Sequence, residues 1–256
     1  MITAHPPHSH AQPDRLVTIS IVSHRHGALV QELLGDIERH CTGVEVLLTV
    51  NVEEALGFDT TRFGYPLRII RNARPKGFGA NHNAAFVRAA GGYFCVLNPD
   101  IRLNQNPFPP LIAILADERV GVAAPRIVSP SGEIEDSARR FPTLWVIARK
   151  ALTGTHHHDY DVASTLLRPE WVAGMFMLFR SEVFRRLGGF DEHYFLYYED
   201  VDLCLRLRRL GLDIVLEPKA EALHDARRAS RRDLQHLYWH MRSLARFLRS
   251  RDAGRL

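Results

Sequence analysis

Four short stretches of this chain carry residue types that do chemistry. Asp100 follows the apolar run Tyr93–Leu97 and the turn Asn98-Pro99. A carboxylate there can hold a hard divalent cation through oxygen, and it can equally cap a turn or a helix. Gly77-Phe78-Gly79, behind Lys76, lets backbone approach a phosphate or a sugar ahead of a helix, or simply makes a tight turn. Asn81 and Asn83 add polar groups that a plain turn does not require. Glu199-Asp200 follows the aromatic run Tyr194–Tyr198 and opens a helical pattern. A helix N-terminus favours an ionised carboxylate, so the pair suits either capping or a general base beside an aromatic wall that faces a sugar ring. His224 comes after the turn Glu217-Pro218-Lys219. Alone it serves structure; with Asp100 it could converge on one cation.

The elements that must position these groups alternate along the first half of the chain. Val17–Ser23, Val44–Val50, Leu67–Arg71, Tyr93–Leu97 and Val120–Ala124 read as strands. Helical periods cover Ala28–His40, Asn81–Ala90 and Phe108–Glu118, the last opened by Pro109 and Pro110. That alternation predicts an α/β fold, a mostly parallel sheet flanked by helices with ligands at the carboxyl ends of its strands. Residues 126–170 hold Pro, Gly and polar clusters and read as a long loop region. Strand Met175–Phe179, helix Ser181–Leu187, helix Glu199–Leu210 stopped by Gly211, and strand Asp213–Glu217 follow. Leu234, Leu237, Tyr238, Met241, Leu244, Ala245 and Leu248 then share one helical face, with Arg on the other, so the chain closes on an amphipathic helix.

Composition sets the outer bounds. The 256 residues are 46% hydrophobic and 24% charged, which excludes a disordered chain, a collagen-like fibre and a disulfide scaffold. Cys41, Cys95 and Cys204 lie far apart among apolar residues and read as buried thiols of a reducing compartment. No apolar run approaches the ~18 residues of a membrane span. The His- and Pro-rich residues 1–15 lack the apolar core of a signal peptide and read as a flexible lead-in. The expectation is a cytoplasmic protein. Its charge is uneven: residues 225–256 hold nine Arg against three Asp, a net +6, which leaves the first 224 residues at −2 of the total +4. A basic body would point to nucleic acid. A basic tail points instead to a surface patch, either packed with its Arg in water or resting peripherally on anionic lipid. The His-rich stretches near residues 5–10 and at His156–His158 read as loop composition.

Taken together, GGFDEHYFLYYEDVDLCLRLRRLG (188–211), LNPDI (97–101), LEPKAEALH (216–224), NARPKGFGANHNAAF (72–86), VGVAAPRIVSPSGEIEDSARRFPTL (120–144) and WVAGMFMLFRSEVFRRLGGFDE (171–192) resemble bacterial family 2 glycosyltransferases. The likeness is greatest to the rhamnosyltransferase-type enzymes of cell-surface polysaccharide and lipopolysaccharide synthesis, and it covers about residues 17–249. It implies a GT-A fold over residues 16–256, with a nucleotide-sugar half (16–125), an acceptor half (126–224) and a basic C-terminal helix (225–256). It implies inverting transfer of a sugar, rhamnose from dTDP-rhamnose first, from a dTDP-, UDP- or GDP-linked donor to a glycan or lipid-linked acceptor, with Mg2+ or Mn2+ as cofactor. Asp100 matches the last acid of the family's DXD-type motif, which here reads Asn98-Pro99-Asp100 and keeps one carboxylate; His224 matches the family's metal-binding histidine. Asp200 matches the catalytic base of the ED motif, and Glu199 would orient or contact the acceptor. Ser23, Asn51, Lys76, Gly77, Gly79, Asn83 and Asn98 fall in stretches lining the nucleotide-sugar pocket, and Trp171 and Gly174 where the acceptor side begins.

Two stretches depart from the pattern. The first strand ends Ser23-His24-Arg25-His26 rather than in a Thr/Ser-x-Tyr-Asn sequence, and Asn51 stands where an Asp is usual. Competing readings are another nucleotide-sugar enzyme or a nucleotidyltransferase, which has no use for the Glu199-Asp200 pair, and a non-catalytic sugar- or nucleic-acid-binding module, which has no use for Asp100, Asp200 and His224 together.

Overall fold

The computed structural model describes residues 17–143, 159–162, 165–225 and 234–253; the lead-in 1–15 and the His156–His158 stretch lie outside the described residues. In chain order the strands are β1 (Val17–Ser23), β2 (Val44–Val50), β3 (Leu67–Arg71), β4 (Tyr93–Leu97), β5 (Ile101–Arg102), β6 (Val120–Val128), β7 (Ala138–Arg139), β8 (Trp171–Val172), β9 (Phe176–Arg180) and β10 (Asp213–His224). The helices are α1 (Gly27–His40), α2 (Phe78–Phe86), α3 (Phe108–Leu115), α4 (Ser181–Leu187), α5 (Glu199–Arg209) and α6 (Leu234–Ala253). Eight strands make one sheet in the order β3-β2-β1-β4-β9-β6-β10-β5, and β7 and β8 form a separate ribbon. Within the large sheet only β9 and β5 run against their neighbours. β1 lies between β2 and β4, so the strand order reverses there and a crevice opens at their carboxyl ends. Ser23 ends β1 and Asn98–Asp100 follow β4, both at that crevice.

The sequence pattern explains the layers. β2 is buried along its whole length, as a central strand covered on both faces must be. In β4, Cys95 and Leu97 enter the layer shared with α1 and α3, while Phe94 and Val96 enter the layer of α4 and α5. Val30, Leu33, Leu34 and Ile37 of α1 are all buried in the first layer, each worth roughly 1.5–3 kcal/mol. The three cysteines are buried and unbridged.

Several boundaries differ from the sequence reading, mostly by a few residues at element ends, and two of them build the site. β6 runs on to Val128 and β10 to His224, because Arg126–Val128 re-pair with Glu221–Leu223 beyond an irregularity between Glu217 and Glu221. Pro218, which has no N–H to offer a ladder, sits in that bulge. The expected loop region 126–170 therefore contains ordered strand at its start and at β7. α2 begins at Phe78, three residues early, because Gly77 is an extended N-cap (φ −65°, ψ 164°).

Candidate active site

The turn after β4 is fixed by the Asn98 N–H donating to the Met175 carbonyl (2.9 Å) and by Ile101 N–H donating to the Asn98 carbonyl (3.3 Å). It projects Asp100 toward the end of β10, where His224 pairs in register with Ile101. His224 Nε2 lies 3.3 Å from Asp100 Oδ2, and His224 Nδ1 lies 2.6 Å from Glu135 Oε2. Burial works to lower the His224 pKa, but the hydrogen bonds to Asp100 and Glu135 outweigh it and lift the value to about 9. The other Asp100 oxygen, Oδ1, is buried with no hydrogen-bond partner among the described residues. An orphaned carboxylate oxygen beside an imidazole nitrogen fits a hard divalent cation of the Mg2+ or Mn2+ type, and Glu135 holds the far nitrogen as carboxylates do behind metal-bound histidines. Among the described residues no group of three or more His, Cys, Asp and Glu forms a full cage, so substrate or water oxygens would complete the set. Glu135 was invisible in the sequence. It arrives through the return of the chain after β6, where Glu135 N–H donates to Ile127 O at 2.9 Å.

Asp200 and Glu199 open α5 behind Tyr197 and Tyr198, whose φ values of 70° and 66° put two bulky residues in left-handed backbone. Such residues cost on the order of 1–3 kcal/mol each and persist where surroundings hold them. α6 supplies that hold: Ser243 Oγ–H donates to Leu196 O (2.8 Å), Tyr197 Oη lies 2.8 Å from His236 Nδ1, and Tyr198 packs on His240 and Phe247. The Asp200 carboxylate accepts the Gly174 N–H (2.9 Å) and the Val201 N–H (2.8 Å). Glu199 is buried, and its Oε2 has no partner among the described residues. Burial pushes both pKa values up; the Asp200 charge pushes Glu199 further, while backbone N–H donors pull Asp200 back. Of the two, Asp200 has the N–H donors that favour a charge and Glu199 the orphaned oxygen that favours a proton.

Gly77 and Gly79 answer to packing. A Cβ at Gly77 would fall 2.7 Å from Phe195 O and 2.8 Å from Phe195 Cα, and one at Gly79 would fall 2.5 Å from Phe190 Cβ. The glycine loop is thus pressed onto the segment that leads into Glu199-Asp200, and Phe78 N–H donates to Phe195 O (2.9 Å). Gly174 is flanked by Asp200 Cβ and the Phe78 ring, each 3.4 Å from where its own Cβ would stand. Asn51 braces the loop: its Oδ1 accepts Lys76 N–H (2.8 Å) and Asn72 Nδ2–H (2.9 Å), and its Nδ2 donates to Lys76 O (3.0 Å). The Lys76 side chain is exposed. Ser23 Oγ–H donates to Glu54, a partner the sequence did not suggest. Asn83 stands apart from this network; its amide clamps Phe190 N–H and O (2.9 Å each). Trp171 donates its indole N–H to Arg140 O (2.9 Å), and the Arg139 guanidinium lies 5.5 Å from its ring centre.

The mostly parallel sheet flanked by helices is that of a GT-A glycosyltransferase, with Asp100 after β4 and His224 at the end of β10 brought together and a carboxylate pair opening α5. The chain belongs to the family described as glycosyltransferase like family 2, whose model matches residues 14–243. It is 29% identical over 245 residues to rhamnosyltransferase WbbL of Escherichia coli K12, covering 91% of this chain and 92% of that protein. It is 35% identical over 170 residues to N-acetylglucosaminyl-diphospho-decaprenol L-rhamnosyltransferase of Mycobacterium tuberculosis, covering 62% of this chain and about half (55%) of that protein. Among solved structures, GalNAc-T7 with UDP, GalNAc and Mn2+ superposes with a TM-score of 0.66 at 16% identity, over 83% of this chain and 43% of that one. That last likeness establishes the fold alone.

Proposed function

We propose that this chain is a metal-dependent, inverting hexosyltransferase. The donor is a nucleoside-diphosphate sugar, dTDP-rhamnose ahead of UDP- and GDP-linked sugars, and the acceptor is a hydroxyl of a glycan or lipid-linked acceptor in polysaccharide synthesis. The observation that carries the reading is one hydrogen-bonded span: Gly174 N–H donates to the Asp200 carboxylate and the next residue, Met175, accepts from Asn98 N–H, two residues before Asp100. A candidate base and a candidate cation ligand thus hang on consecutive residues.

Inversion needs one displacement in which the acceptor oxygen attacks the anomeric carbon as its proton leaves. Asp200, ionised, takes that proton. Glu199, protonated, keeps a second negative charge out of the site while it borders the acceptor. Asp100 and His224 would hold Mg2+ or Mn2+, which when bound neutralises charge developing on the leaving diphosphate. Ser23, Asn51, Asn98 and the Lys76–Gly79 backbone wall the donor side, and Trp171 and Gly174 border the acceptor side. Rhamnose is favoured by the names of the two relatives, one of which acts on a diphospho-decaprenol-linked sugar. A lipid-linked acceptor would bring the enzyme to the inner face of the cytoplasmic membrane. Proton NMR of the transferred sugar tests the mechanism: the product should carry the anomeric configuration opposite to the donor's, and retained configuration would overturn it.

A further inference from the structure

We propose that the first turns of α6 form a seat for an anionic lipid surface, with Leu234, Leu237, Tyr238 and Met241 entering the headgroup boundary. The proposal deepens the lipid-linked reading above and rests on it for its purpose, though not for its geometry. The sequence left the apolar face of this helix with two fates, and the structure divides it between them. Of that face Leu244 (8% exposed) is packed on the protein, next to Phe247 (0%) from the adjoining side of the helix, whereas Leu234 (82%), Leu237 (58%), Tyr238 (60%) and Met241 (55%) are exposed. The C-terminal half is further pinned by Arg246 to Asp191 (2.7 Å) and by Arg251 to Pro142 O (2.8 Å). The four exposed residues follow i, i+3, i+4, i+7 spacing and fall within about 100° of helix arc. The other exposed large apolar residues among those described, Val87, Leu166 and Leu210, lie singly and far apart in the chain, outside the named helices and strands.

Charge decides what covers the stripe. Exposed Arg242 and Arg249 flank it, and in sequence Arg227, Arg228, Arg231 and Arg232 come directly before it. Residues 225–256 carry net +6 and the remainder −2, so the positive field is concentrated on this segment. A second copy docking the same face would set one +6 segment against another, which like-charge repulsion opposes. An anionic bilayer complements both the stripe and the field. Among the described residues no helix is long and apolar enough to cross a membrane, so the contact is one that lies on the surface.

The seat is joined to the catalytic loop through the helix itself. On the opposite side of the same turns, His236, Trp239 and Ser243 grip Tyr197, Phe195 and Leu196, the residues that lead into Glu199-Asp200. A helix is about 10 Å thick, so lipid on one face of α6 would bring the strained loop close to the membrane plane, where a lipid-linked acceptor would present its sugar.

The test is flotation of the full chain with vesicles of phosphatidylcholine alone and of phosphatidylcholine mixed with phosphatidylglycerol. The chain should float with the mixed vesicles, come off at raised salt, and ignore phosphatidylcholine. Leu237→Gln with Met241→Gln should lower the bound fraction about tenfold, and Arg242→Glu should weaken it too. All variants should keep a melting temperature close to that of the wild type, since Leu237 and Met241 are more than half exposed and Arg242 is exposed. Wild-type chain that stays in solution with the mixed vesicles overturns the proposal, as does a double variant that floats like wild type. So does a wild-type dimer that the double variant turns into monomer, which would make a second copy the occupant. Flotation uses neither donor nor acceptor, so its failure leaves sugar transfer standing. Failed transfer by a chain that floats would overturn the function and leave the seat.

Discussion

The N–H groups of Gly174 and Val201 point at Asp200 and favour its charge, while Glu199, one residue earlier, has a buried oxygen with no donor among the described residues, which favours its proton. The split fits adjacent carboxyls given different tasks by environment. Asp200→Asn should fold and bind nucleotide normally yet lose about 10²–10⁴-fold in transfer rate, read by coupled release of nucleoside diphosphate. Glu199 also sets a pH signature on stability. Its folded pKa lies well above 4.5, so above pH 4.5 the folded chain holds a proton that the unfolded chain has lost, and stability falls as pH rises toward the folded pKa. Glu199→Gln should remove that slope, at most about 1.4 kcal/mol per pH unit, in urea melts taken at successive pH values. A variant whose stability tracks wild type at every pH would show that Glu199 is ionised in the folded state. Glu135→Gln, which leaves His224 without an anionic partner at Nδ1, should weaken Mn2+ binding about 10–100-fold by paramagnetic titration, without abolishing it.

The strands and helices show which parts of the site could be read from the chain alone. β1, β2, β3 and β4 announce themselves by β-branched and apolar runs, and the end of β4 marks Asp100 at the ligand edge of the sheet, whereas Ser23 and Asn51 are singled out only by the family resemblance. The far end of β10 could not be read that way. Its pattern breaks at Pro218, and its last residues regain strand only by pairing with Arg126–Val128, a partner about ninety positions away. Glu135 was hidden for the same reason: one acid in a polar stretch carries no period, and only the return after β6 turns it toward His224. The glycine loop was legible as a loop but not in its cause, since the contact that excludes a side chain at Gly77 comes from Phe195. Gly77→Ala must move backbone, so it should cost about 1–3 kcal/mol in denaturant melts. Gly92→Ala, where a Cβ would meet nothing within 4 Å, should stay within about 0.5 kcal/mol.

Across the molecule, one sheet carries both candidate metal ligands, Asp100 after β4 and His224 on β10, with the antiparallel β9 between those halves and leading directly out of Gly174 and Met175. The candidate base and the candidate cation ligands are therefore held by one sheet packed between two core layers. Charge is distributed differently: the acidic site groups sit in the slightly negative body and the Arg residues gather at the C-terminus. Asp100 and His224 are proposed to make a cation-assisted seat for a nucleoside diphosphate on the sheet that also positions Asp200. Calorimetric titration with dTDP, UDP and GDP, each with and without Mn2+, on wild type and Asp100→Ala, is the decisive experiment. Tight binding of one nucleotide that requires Mn2+ and vanishes in Asp100→Ala is the expected result. Equal binding with and without Mn2+, or binding unchanged in Asp100→Ala, would contradict it.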